Sequence, residues 1–290
     1  MNNVIIVGGG PAGISASLYT LRAGIKTTIM SAGGGALEKA REIENYYGFS
    51  APVSGPDLFA AGIVQAERLG AGIIPGEVVG IEEKDSGFTV KTAASSYDAK
   101  VVILATGATR AKPKWQNLEN YEGKGVSYCA VCDGFFFRGK DIAIAGSGPY
   151  ALHEAQVLLP IAGSLTICTD GKPITADFPQ EVKITEQSVL GLEGEQALSC
   201  VRFKDKTALE VSALFIAIGT AGSSELANTI GAVVKNGDIA VDECMRTSIP
   251  GLLAAGDCTG GMKQIAKAVY EGAAAGTEAV KIIQRTDVPQ

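Results

Sequence analysis

Two cysteines separated by two residues, Cys129 and Cys132, are the side chains best suited to chemistry in this sequence. Cysteines at this spacing can close a small disulfide ring, and thiolates in such pairs commonly have a lowered pKa. A zinc site would need a second pair of ligands nearby, whereas the other cysteines and the histidine are scattered without ligand spacing. The spacing therefore favours a redox-active disulfide. Asp133, which follows the pair, can transfer a proton to a leaving thiolate, or it can simply form an Asp-Gly turn.

The remaining cysteines and the histidine supply no second reactive group. Cys168, Cys200, Cys244 and Cys258 each lie singly in apolar or mixed sequence, which predicts small buried side chains. His153 is the only histidine, which excludes a metal site with three histidines and disfavours a Ser-His-Asp mechanism. The chemistry must depend on other groups.

A glycine-rich turn near the start of the chain predicts a nucleotide-binding element. Gly8, Gly10 and Gly13 follow an apolar strand at residues 4–7 and open a helical segment. In a dinucleotide fingerprint the first glycine makes a tight turn, the second lets the backbone approach a pyrophosphate, and the third lets helix pack on strand. A glycine turn without a ligand is the alternative, but the flanking strand and helix favour a dinucleotide. Ser31 stands where an acidic ribose ligand is expected, so that contact must be weaker or come from elsewhere.

The same pattern occurs a second time further along the chain. Residues 142–145 predict a strand, residues 146–151 a glycine turn, and the segment up to about Leu159 a helix. A further strand is predicted at residues 165–168. The repetition indicates two domains of the dinucleotide-binding type.

Each half also contains an apolar strand that ends in a glycine. These strands lie at residues 101–104 before Gly107 and at residues 214–218 before Gly219. A third such strand, at residues 252–255, has no glycine-rich loop of its own, so it should return to complete the first domain.

Two short segments that contain proline, residues 112–114 and 247–251, suggest where the chain passes between domains. The predicted fold class is α/β, with two Rossmann-like dinucleotide-binding domains, the second inserted into the first. The predicted domains are residues 1–111 and 247–290 for the first, split domain and residues 115–244 for the inserted one.

Composition and charge disfavour several classes of function. The formal net charge of the 290 residues is −6 and no basic run is present, which argues against nucleic acid as a partner. No apolar segment approaches the length of a membrane span, so we expect neither a signal peptide nor a membrane anchor. Six cysteines are too few for a disulfide scaffold, which is typical of a reducing compartment. We therefore expect a cytoplasmic protein.

Taken together, these motifs resemble those of low-molecular-weight thioredoxin reductases, and the resemblance spans nearly the whole chain. The matching segments are residues 8–13, 44–48, 105–108, 129–134, 256–257 and 263–265. The resemblance implies that FAD binds in the first, split domain, that the disulfide belongs to the inserted domain, and that the enzyme is a homodimer. It also implies that Cys132 faces the flavin and that Cys129 attacks the disulfide of a thioredoxin-like protein.

The resemblance further implies roles for residues around the flavin. Asn45 would lie near the isoalloxazine ring, and Asp257 would form a hydrogen bond with the ribitol of FAD. The backbone at Gln264 and Ile265 would meet the pyrimidine edge, where a helix N-terminus stabilises negative charge. Lys263 stands where the family usually has arginine, which keeps the charge but not the fork geometry. The full set of expected cofactor-binding residues is Gly8, Gly10, Pro11, Ala12, Gly13, Ser31, Asn45, Ala105, Thr106, Gly107, Gly256, Asp257, Lys263, Gln264 and Ile265.

The second glycine motif departs from the family pattern. Pro149 and Tyr150 replace a small polar pair that contacts pyrophosphate, and a phenol is too large for that approach. No arginine lies between Arg138 and Arg202, so the cluster that binds the 2′-phosphate of NADPH is absent. Residues 219–222 also lack the usual proline and asparagine.

These departures favour a disulfide reductase of thioredoxin-like proteins that receives electrons at FAD from another protein, with ferredoxin as the expected donor. The alternative within enzymes is a thioredoxin reductase that uses NADPH or NADH. Asp170 supports NADH, because an acid at this distance from the motif can bind a free ribose, although Asp170 before Gly171 is equally a plain turn. A non-enzymatic redox sensor is an alternative of another class. Relatives of ferredoxin:NADP reductase lack the cysteine pair and rank lower.

Overall fold

The computed structural model describes residues 2–108 and 112–286 of the chain. Contacts between residues divide the protein into two compact units. The first, here called the split unit, comprises Met1–Arg110 and Gly222–Gln290, and the second, the inserted unit, comprises Ala111–Ala221. Both are α/β units, as the sequence predicted.

The strands include the apolar runs predicted from the sequence and several short ones that are not apolar. In chain order they are β1 (Asn2–Val7), β2 (Thr27–Ser31), β3 (Gly72–Pro75), β4 (Val78–Lys84), β5 (Gly87–Thr92), β6 (Ser96–Leu104), β7 (Val126–Ser127), β8 (Asp141–Ala145), β9 (Ser164–Cys168), β10 (Lys183–Thr185), β11 (Val189–Glu193), β12 (Cys200–Phe203), β13 (Ala208–Glu210), β14 (Ala213–Ile216), β15 (Val234–Lys235), β16 (Asp238–Ile239) and β17 (Leu252–Ala254).

Helices α1 and α4 begin where the two predicted glycine turns end. They are α1 (Pro11–Arg22), α2 (Gly55–Arg68), α3 (Ala130–Asp133), α4 (Pro149–Leu158), α5 (Ser223–Thr229) and α6 (Ile265–Thr286). Short 3-10 segments lie at Gly35–Lys39, Leu118–Tyr121, Gly134–Phe137 and Asp257–Thr259. None of the helices within the described residues is long and apolar enough to cross a membrane.

The split unit is organised around a mainly parallel sheet. Its strand order is β3-β2-β1-β6-β5-β4, with β17 paired to β6. The strands β3, β2, β1, β6 and β17 pair in parallel, whereas β4 and β5 pair antiparallel with their neighbours. The expected return of residues 252–255 to the first domain is confirmed, because β17 lies beside β6 with Leu253 opposite Ile103.

Helices α1 and α6 pack so closely that small residues are required at their crossing. A Cβ atom on Gly272 would lie 2.1 Å from the carbonyl oxygen of Ala12, and one on Gly276 would lie 2.4 Å from that of Ala16. Ser15 Oγ donates a hydrogen bond of 2.7 Å to the Val269 carbonyl oxygen across the same contact. The first and last helices of the unit therefore form one layer that covers the sheet.

The inserted unit contains a five-stranded parallel sheet and a separate antiparallel sheet. The parallel sheet has the order β10-β9-β8-β14-β7, and the antiparallel one has the order β11-β12-β13. Phe215 on β14 is fully buried and contacts the ring of Phe137 edge to face, with 6.1 Å between the ring centroids. The second strand-turn-helix-strand unit predicted from the sequence corresponds to β8, α4 and β9.

The boundary between the units lies earlier in the chain than the predicted end of the inserted domain at residue 244. Residues from Gly222 onward belong to the split unit. Ser223 at the start of α5 is the physical reason, since its N–H donates to Thr106 Oγ1 at 2.8 Å and its hydroxyl accepts the Thr106 N–H at 3.1 Å. The proline-containing segment 247–251 leads into β17 within the unit and is not a linker between domains. The other predicted boundary, residue 111, lies outside the described residues.

Candidate functional site

A cavity of about 250 Å³ in the split unit lies at the amino-terminal ends of α1 and α6. The cavity is lined by the glycine turn after β1, the loop after β2, the end of β6 and the segment between β17 and α6. Most of the expected cofactor-binding residues meet there. They are Gly8, Gly10, Pro11, Ala12, Ala105, Thr106, Gly107, Gly256, Asp257, Lys263, Gln264 and Ile265.

Three expected residues lie off the wall of this cavity. Gly13 lies inside the turn, where an added Cβ atom would be 1.9 Å from the Gly8 carbonyl oxygen. Ser31 directs its hydroxyl to the backbone, donating 2.9 Å to the Gly33 carbonyl oxygen. Asn45 is adjacent through Gln264, whose Oε1 accepts a hydrogen bond of 2.9 Å from Asn45 Nδ2.

Sequence reasoning missed the loop that closes the cavity after β2. Residues Gly33, Gly34 and Gly35, followed by Leu37, line it. The signal was present, because three consecutive glycines begin two residues after Ser31, where the strand ends. Glu38 fixes the loop, since its Oε1 accepts the Gly34 N–H at 2.7 Å.

The glycine turn after β1 fits a dinucleotide by its shape. Gly8 has a φ of +114°, and a side chain there would meet the Ala105 carbonyl oxygen at 2.2 Å. A Cβ atom on Gly10 would instead meet nothing within 4 Å. The backbone at Gly10 therefore faces open space at the N-terminus of α1, where a pyrophosphate can approach the helix dipole.

An ion pair on α6 holds the segment that carries Asp257. Glu271 Oε2 accepts the Gly256 N–H at 2.8 Å, and Lys267 Nζ donates to the Gly256 carbonyl oxygen at 2.8 Å. The two side chains are 3.0 Å apart and both are largely buried. Burial raises the pKa of the Asp257 carboxyl above its ordinary value, while Lys267 and Lys263 lower it. Asp257 is thereby presented to the cavity on a fixed backbone.

In the inserted unit Cys129 and Cys132 form a disulfide, with their Cα atoms 5.3 Å apart. Cys129 is the N-cap residue of the short helix α3, and its sulfur accepts the Cys132 N–H at 3.1 Å. Only 6% of Cys129 is exposed, whereas Cys132 is exposed. Cys129 must therefore be uncovered before it can attack a disulfide in another protein.

Asp133 is connected to the disulfide through a serine. Ser127 Oγ donates to Asp133 Oδ2 at 2.6 Å and accepts the Cys129 N–H at 3.1 Å. Asp133 is thus more than a turn residue, because its carboxylate orients the hydroxyl that binds the backbone of Cys129.

The aromatic run after the disulfide is divided between surface and core. Phe135 and Phe136 are 70% and 77% exposed. Phe137 does pack, against Phe215. The Arg138 guanidinium lies 5.5 Å from the centre of the Phe135 ring. An apolar surface with a positive charge therefore follows the disulfide in sequence.

The remaining cysteines behave in two ways. Cys168 and Cys258 are buried, as expected, and burial raises the pKa of each thiol to about 12. Cys200 and Cys244 are only half-buried, so the expectation of burial is wrong for them.

The second glycine turn is in contact with another segment of the chain, whereas the first faces open space. A Cβ atom on Gly148, the counterpart of Gly10, would lie 3.2 Å from Thr175 Oγ1. The Thr175 N–H donates a hydrogen bond of 2.8 Å to the Ser147 carbonyl oxygen. The chain's own segment after β9 therefore lies on this turn.

Tyr150 does not obstruct the turn as its size had suggested. Its side chain is directed into the inserted unit, where only 5% of the residue is exposed and the hydroxyl donates to the Tyr128 carbonyl oxygen at 3.2 Å. Asp170 is also engaged elsewhere. Its Oδ1 accepts the Val189 N–H at 2.7 Å and its Oδ2 accepts the Trp115 indole N–H at 3.3 Å.

The comparisons with known proteins agree on one family. The sequence matches the family described as pyridine nucleotide-disulphide oxidoreductase over residues 2–272. It is 37% identical to a thioredoxin reductase of Streptomyces coelicolor over 276 residues, which covers 89% of this chain and 86% of the relative.

Solved structures agree in fold. The atypical thioredoxin reductase TRi from Desulfovibrio vulgaris Hildenborough is 39% identical with a TM-score of 0.93, and 100% of each chain is covered. A ferredoxin-flavin thioredoxin reductase from Clostridium acetobutylicum is 29% identical with a TM-score of 0.74, and 98% of each chain is covered. The chain therefore belongs to the pyridine nucleotide-disulphide oxidoreductase family, and within it to the FAD-dependent thioredoxin reductases.

Proposed function

We propose that this chain reduces thioredoxin-like proteins through the Cys129–Cys132 pair, with FAD bound in the cavity of the split unit and with a low-potential protein such as ferredoxin as the electron donor. When bound, FAD accepts electrons from the donor and supplies an electron pair for the disulfide. The α1 N-terminus would hold the pyrophosphate. Asp257, Gln264 and Ile265 would hold the flavin end, as the family resemblance implies.

The contrast between the two glycine turns carries the proposal about the donor. Gly10 faces open space, whereas the equivalent Gly148 faces Thr175, whose backbone is bonded to Ser147. A nicotinamide nucleotide would have to displace this segment before its pyrophosphate could reach the N-terminus of α4. A protein donor needs no pocket there.

Charge gives a second, independent argument against NADPH. A 2′-phosphate usually binds arginine, and each charge-assisted hydrogen bond contributes about 1.5–3 kcal/mol. No arginine lies between Arg138 and Arg202, and the cation that follows β9 is the exposed Lys172. Loss of two such bonds corresponds to an affinity weaker by about a hundredfold or more.

The alternative of NADH loses its main support. Asp170 was the residue that could bind a free ribose, but both of its carboxylate oxygens accept hydrogen bonds from within the inserted unit, from Val189 and Trp115. A ribose would have to share the carboxylate with both of these donors. Among the similar structures, one is described as a ferredoxin-flavin thioredoxin reductase, which is consistent with a protein donor, and others are described as thioredoxin reductases without a named donor.

Anaerobic reduction of the flavin tests the donor. We expect a millimolar solution of NADPH or NADH to bleach the flavin absorbance at least about a hundredfold more slowly than reduced ferredoxin, because both nucleotides meet the segment bonded to Ser147 and NADPH also lacks contacts to its phosphate. Added thioredoxin should then become reduced over many turnovers only with ferredoxin present, as measured by thiol labelling. Dithionite serves as the control that the flavin can be reduced in every sample.

Three other outcomes would each indicate a different donor or function. Rapid bleaching by NADPH followed by thioredoxin reduction would establish an ordinary thioredoxin reductase. Rapid bleaching by NADH alone would show that Asp170 exchanges its partners for a ribose. A flavin that is reduced without repeated turnover of thioredoxin would identify a redox sensor and not a reductase.

In the exchange step, the Cys129 thiolate attacks the partner's disulfide, and Cys132 then attacks Cys129 to release the reduced partner and restore the ring. Asp133 would return a proton to the leaving thiolate, and its connection to Cys129 through Ser127 supports this role. The exposed Phe135 and Phe136, with Arg138, provide a contact surface in sequence proximity to the pair. The proposal includes a homodimer, which native mass determination tests.

Asp133→Asn tests the proton transfer. We expect turnover with thioredoxin to fall at least about tenfold, because general acid catalysis typically contributes a hundredfold or more. The flavin absorbance should not change. Asp177→Asn, an exposed aspartate of the same unit, is the matched control. Equal turnover of Asp133→Asn and the control across pH would remove Asp133 from the mechanism.

A further inference from the structure

A buried glutamate contacts the helix that carries the disulfide. Glu154 lies on α4 and only 2% of it is exposed. Its Oε2 accepts the N–H of Ala130 at 2.7 Å. Ala130 directly follows Cys129 and is the first residue of α3. Glu154 was not singled out in the sequence, because a glutamate in a helix is usually exposed.

The sulfur of Cys129 and the carboxylate of Glu154 bind the same short helix. Cys129 Sγ accepts the N–H of Cys132, and Glu154 accepts the N–H of Ala130. N–H groups at a helix start stabilise a thiolate and lower the pKa of the thiol. When the disulfide opens, a thiolate at Cys129 and a carboxylate at Glu154 therefore become like charges on one N-terminal turn.

Few other charges act on Glu154. Burial raises the pKa of Glu154 to about 7, and the Ala130 N–H opposes this shift. Besides Cys132 of the pair itself, the titratable groups on the elements packed against α4 are Asp133 on α3, Asp141 on β8 and Cys168 on β9, and those on α4 itself are Tyr150 and His153. Asp133 is bonded to Ser127, Asp141 is exposed, and burial raises the pKa of Cys168 to about 12.

We propose that Glu154 is a positioning residue for the disulfide reaction that takes up a proton when the Cys129–Cys132 pair is reduced, so that Cys129 is left as the reactive thiolate. Glu154 acts on Cys129 through the Ala130 N–H and touches no reacting atom. The inference rests on the proposed function only in that the pair cycles between disulfide and dithiol.

The step balances in electrons and protons. Two electrons break the sulfur–sulfur bond, and two protons enter from solvent. One proton binds the sulfur of Cys132 and the other binds the carboxylate of Glu154. The products are a Cys132 thiol, a Cys129 thiolate and a neutral Glu154. The net charge stays at one negative charge, which moves from Glu154 to Cys129.

This arrangement predicts how proton uptake changes with pH. Below about pH 7 Glu154 is protonated in both redox states, so reduction adds a proton only to Cys132. Above about pH 7 Glu154 is ionised in the oxidised protein and gains a proton on reduction, so two protons are taken up. If the two thiols were the only titrating groups, the number of protons taken up on reduction could only fall as the pH rises. An increase requires a third group whose pKa rises on reduction.

Equilibration of the holoenzyme with dithiothreitol measures this uptake. Dithiothreitol releases two protons when it is oxidised. The equilibrium constant for reduction of the Cys129–Cys132 disulfide by dithiothreitol therefore rises about tenfold per pH unit when the protein takes up one proton, and it does not change with pH when the protein takes up two. We expect the wild-type constant to rise up to about pH 7 and then to level off. Glu154→Gln keeps an acceptor for the Ala130 N–H but has no charge. Its equilibrium constant should continue to rise to about pH 8.5, where it should exceed the wild-type constant roughly thirtyfold. Acid quenching and mass labelling of the thiols give the constant.

Glu181→Gln, an exposed glutamate of the same unit, is the matched control and should follow the wild type. Identical profiles of Glu154→Gln and wild type would overturn the proposal. If Glu154→Gln fails to fold, the wild-type profile decides alone, since the absence of a change in slope near pH 7 contradicts it. Thioredoxin reduction, measured in parallel, separates this outcome from failure of the proposed function, because the dithiothreitol equilibrium needs neither donor nor thioredoxin.

Discussion

Replacement of either Cys129 or Cys132 by serine is expected to abolish the reduction of thioredoxin-like proteins, with a loss of at least about a thousandfold, because disulfide exchange needs both sulfur atoms. Cys132→Ser leaves a Cys129 thiol that receives no electron pair through the ring and cannot be resolved after it attacks a partner. Cys129→Ser leaves the exposed Cys132 thiol without the residue that attacks the partner. The two variants should therefore fail at different steps.

Two measurements distinguish these steps. Turnover of thioredoxin should be lost in both variants, and a stable mixed disulfide with thioredoxin, detected by mass under denaturing conditions, should accumulate only for Cys132→Ser. Cys244→Ser is the matched control, because Cys244 is half-buried and belongs to no disulfide, and it should retain wild-type turnover. Wild-type turnover in either member of the pair would mean that the exchange disulfide is misassigned.

Two alanine substitutions in the first glycine turn should separate loss of the fold from loss of FAD. In Gly13→Ala the new methyl group would lie 1.9 Å from the Gly8 carbonyl oxygen, which is backbone and cannot move without opening the turn. We expect a loss of about 3 kcal/mol or more in the free energy of unfolding. In Gly10→Ala the methyl group meets no protein atom within 4 Å, so the fold should be kept.

For Gly10→Ala the loss should appear in cofactor binding. Its methyl group occupies the space through which a pyrophosphate approaches, and we expect FAD affinity to weaken at least about tenfold, or about 1.4 kcal/mol. Urea unfolding and flavin titration of the apoprotein give the two quantities. Gly62→Ala on α2, where the nearest atom would be at 3.4 Å, is the control and should keep both. Unweakened FAD binding by Gly10→Ala would show that the pyrophosphate does not pass Gly10.

The central strands of the two largest sheets were predictable because each is an apolar run that ends in a glycine or a turn. Residues 4–7 and 142–145 lie in strands, and so do residues 252–254. The antiparallel strands were missed, among them β4, β5 and β12. In β4 the four buried residues are followed by three exposed ones, β5 mixes polar with apolar residues, and β12 is only four residues long, so the strand pattern of each is weak.

The candidate site was predictable only where local sequence forms it. Glycine turns are read from the chain directly, whereas the cover on Gly148 by Thr175 depends on the path of a loop with no motif of its own. The same holds for Asp170, whose partners Trp115 and Val189 are distant in sequence. Interactions of this kind are set by tertiary structure, and single-sequence patterns carry no signal for them.

The contact between α1 and α6 also governs the order in which the protein can be completed during synthesis. The Ser15–Val269 hydrogen bond joins residues 254 positions apart, so α1 leaves the ribosome long before its packing partner exists. The inserted unit is a continuous stretch, Ala111–Ala221, and can fold while the remainder is still being translated. The split unit must close a very long loop first, which makes its assembly the slow step of folding. Its apolar helix face stays uncovered in the meantime, and a chain arrested before α6 would be a target for chaperones and proteases.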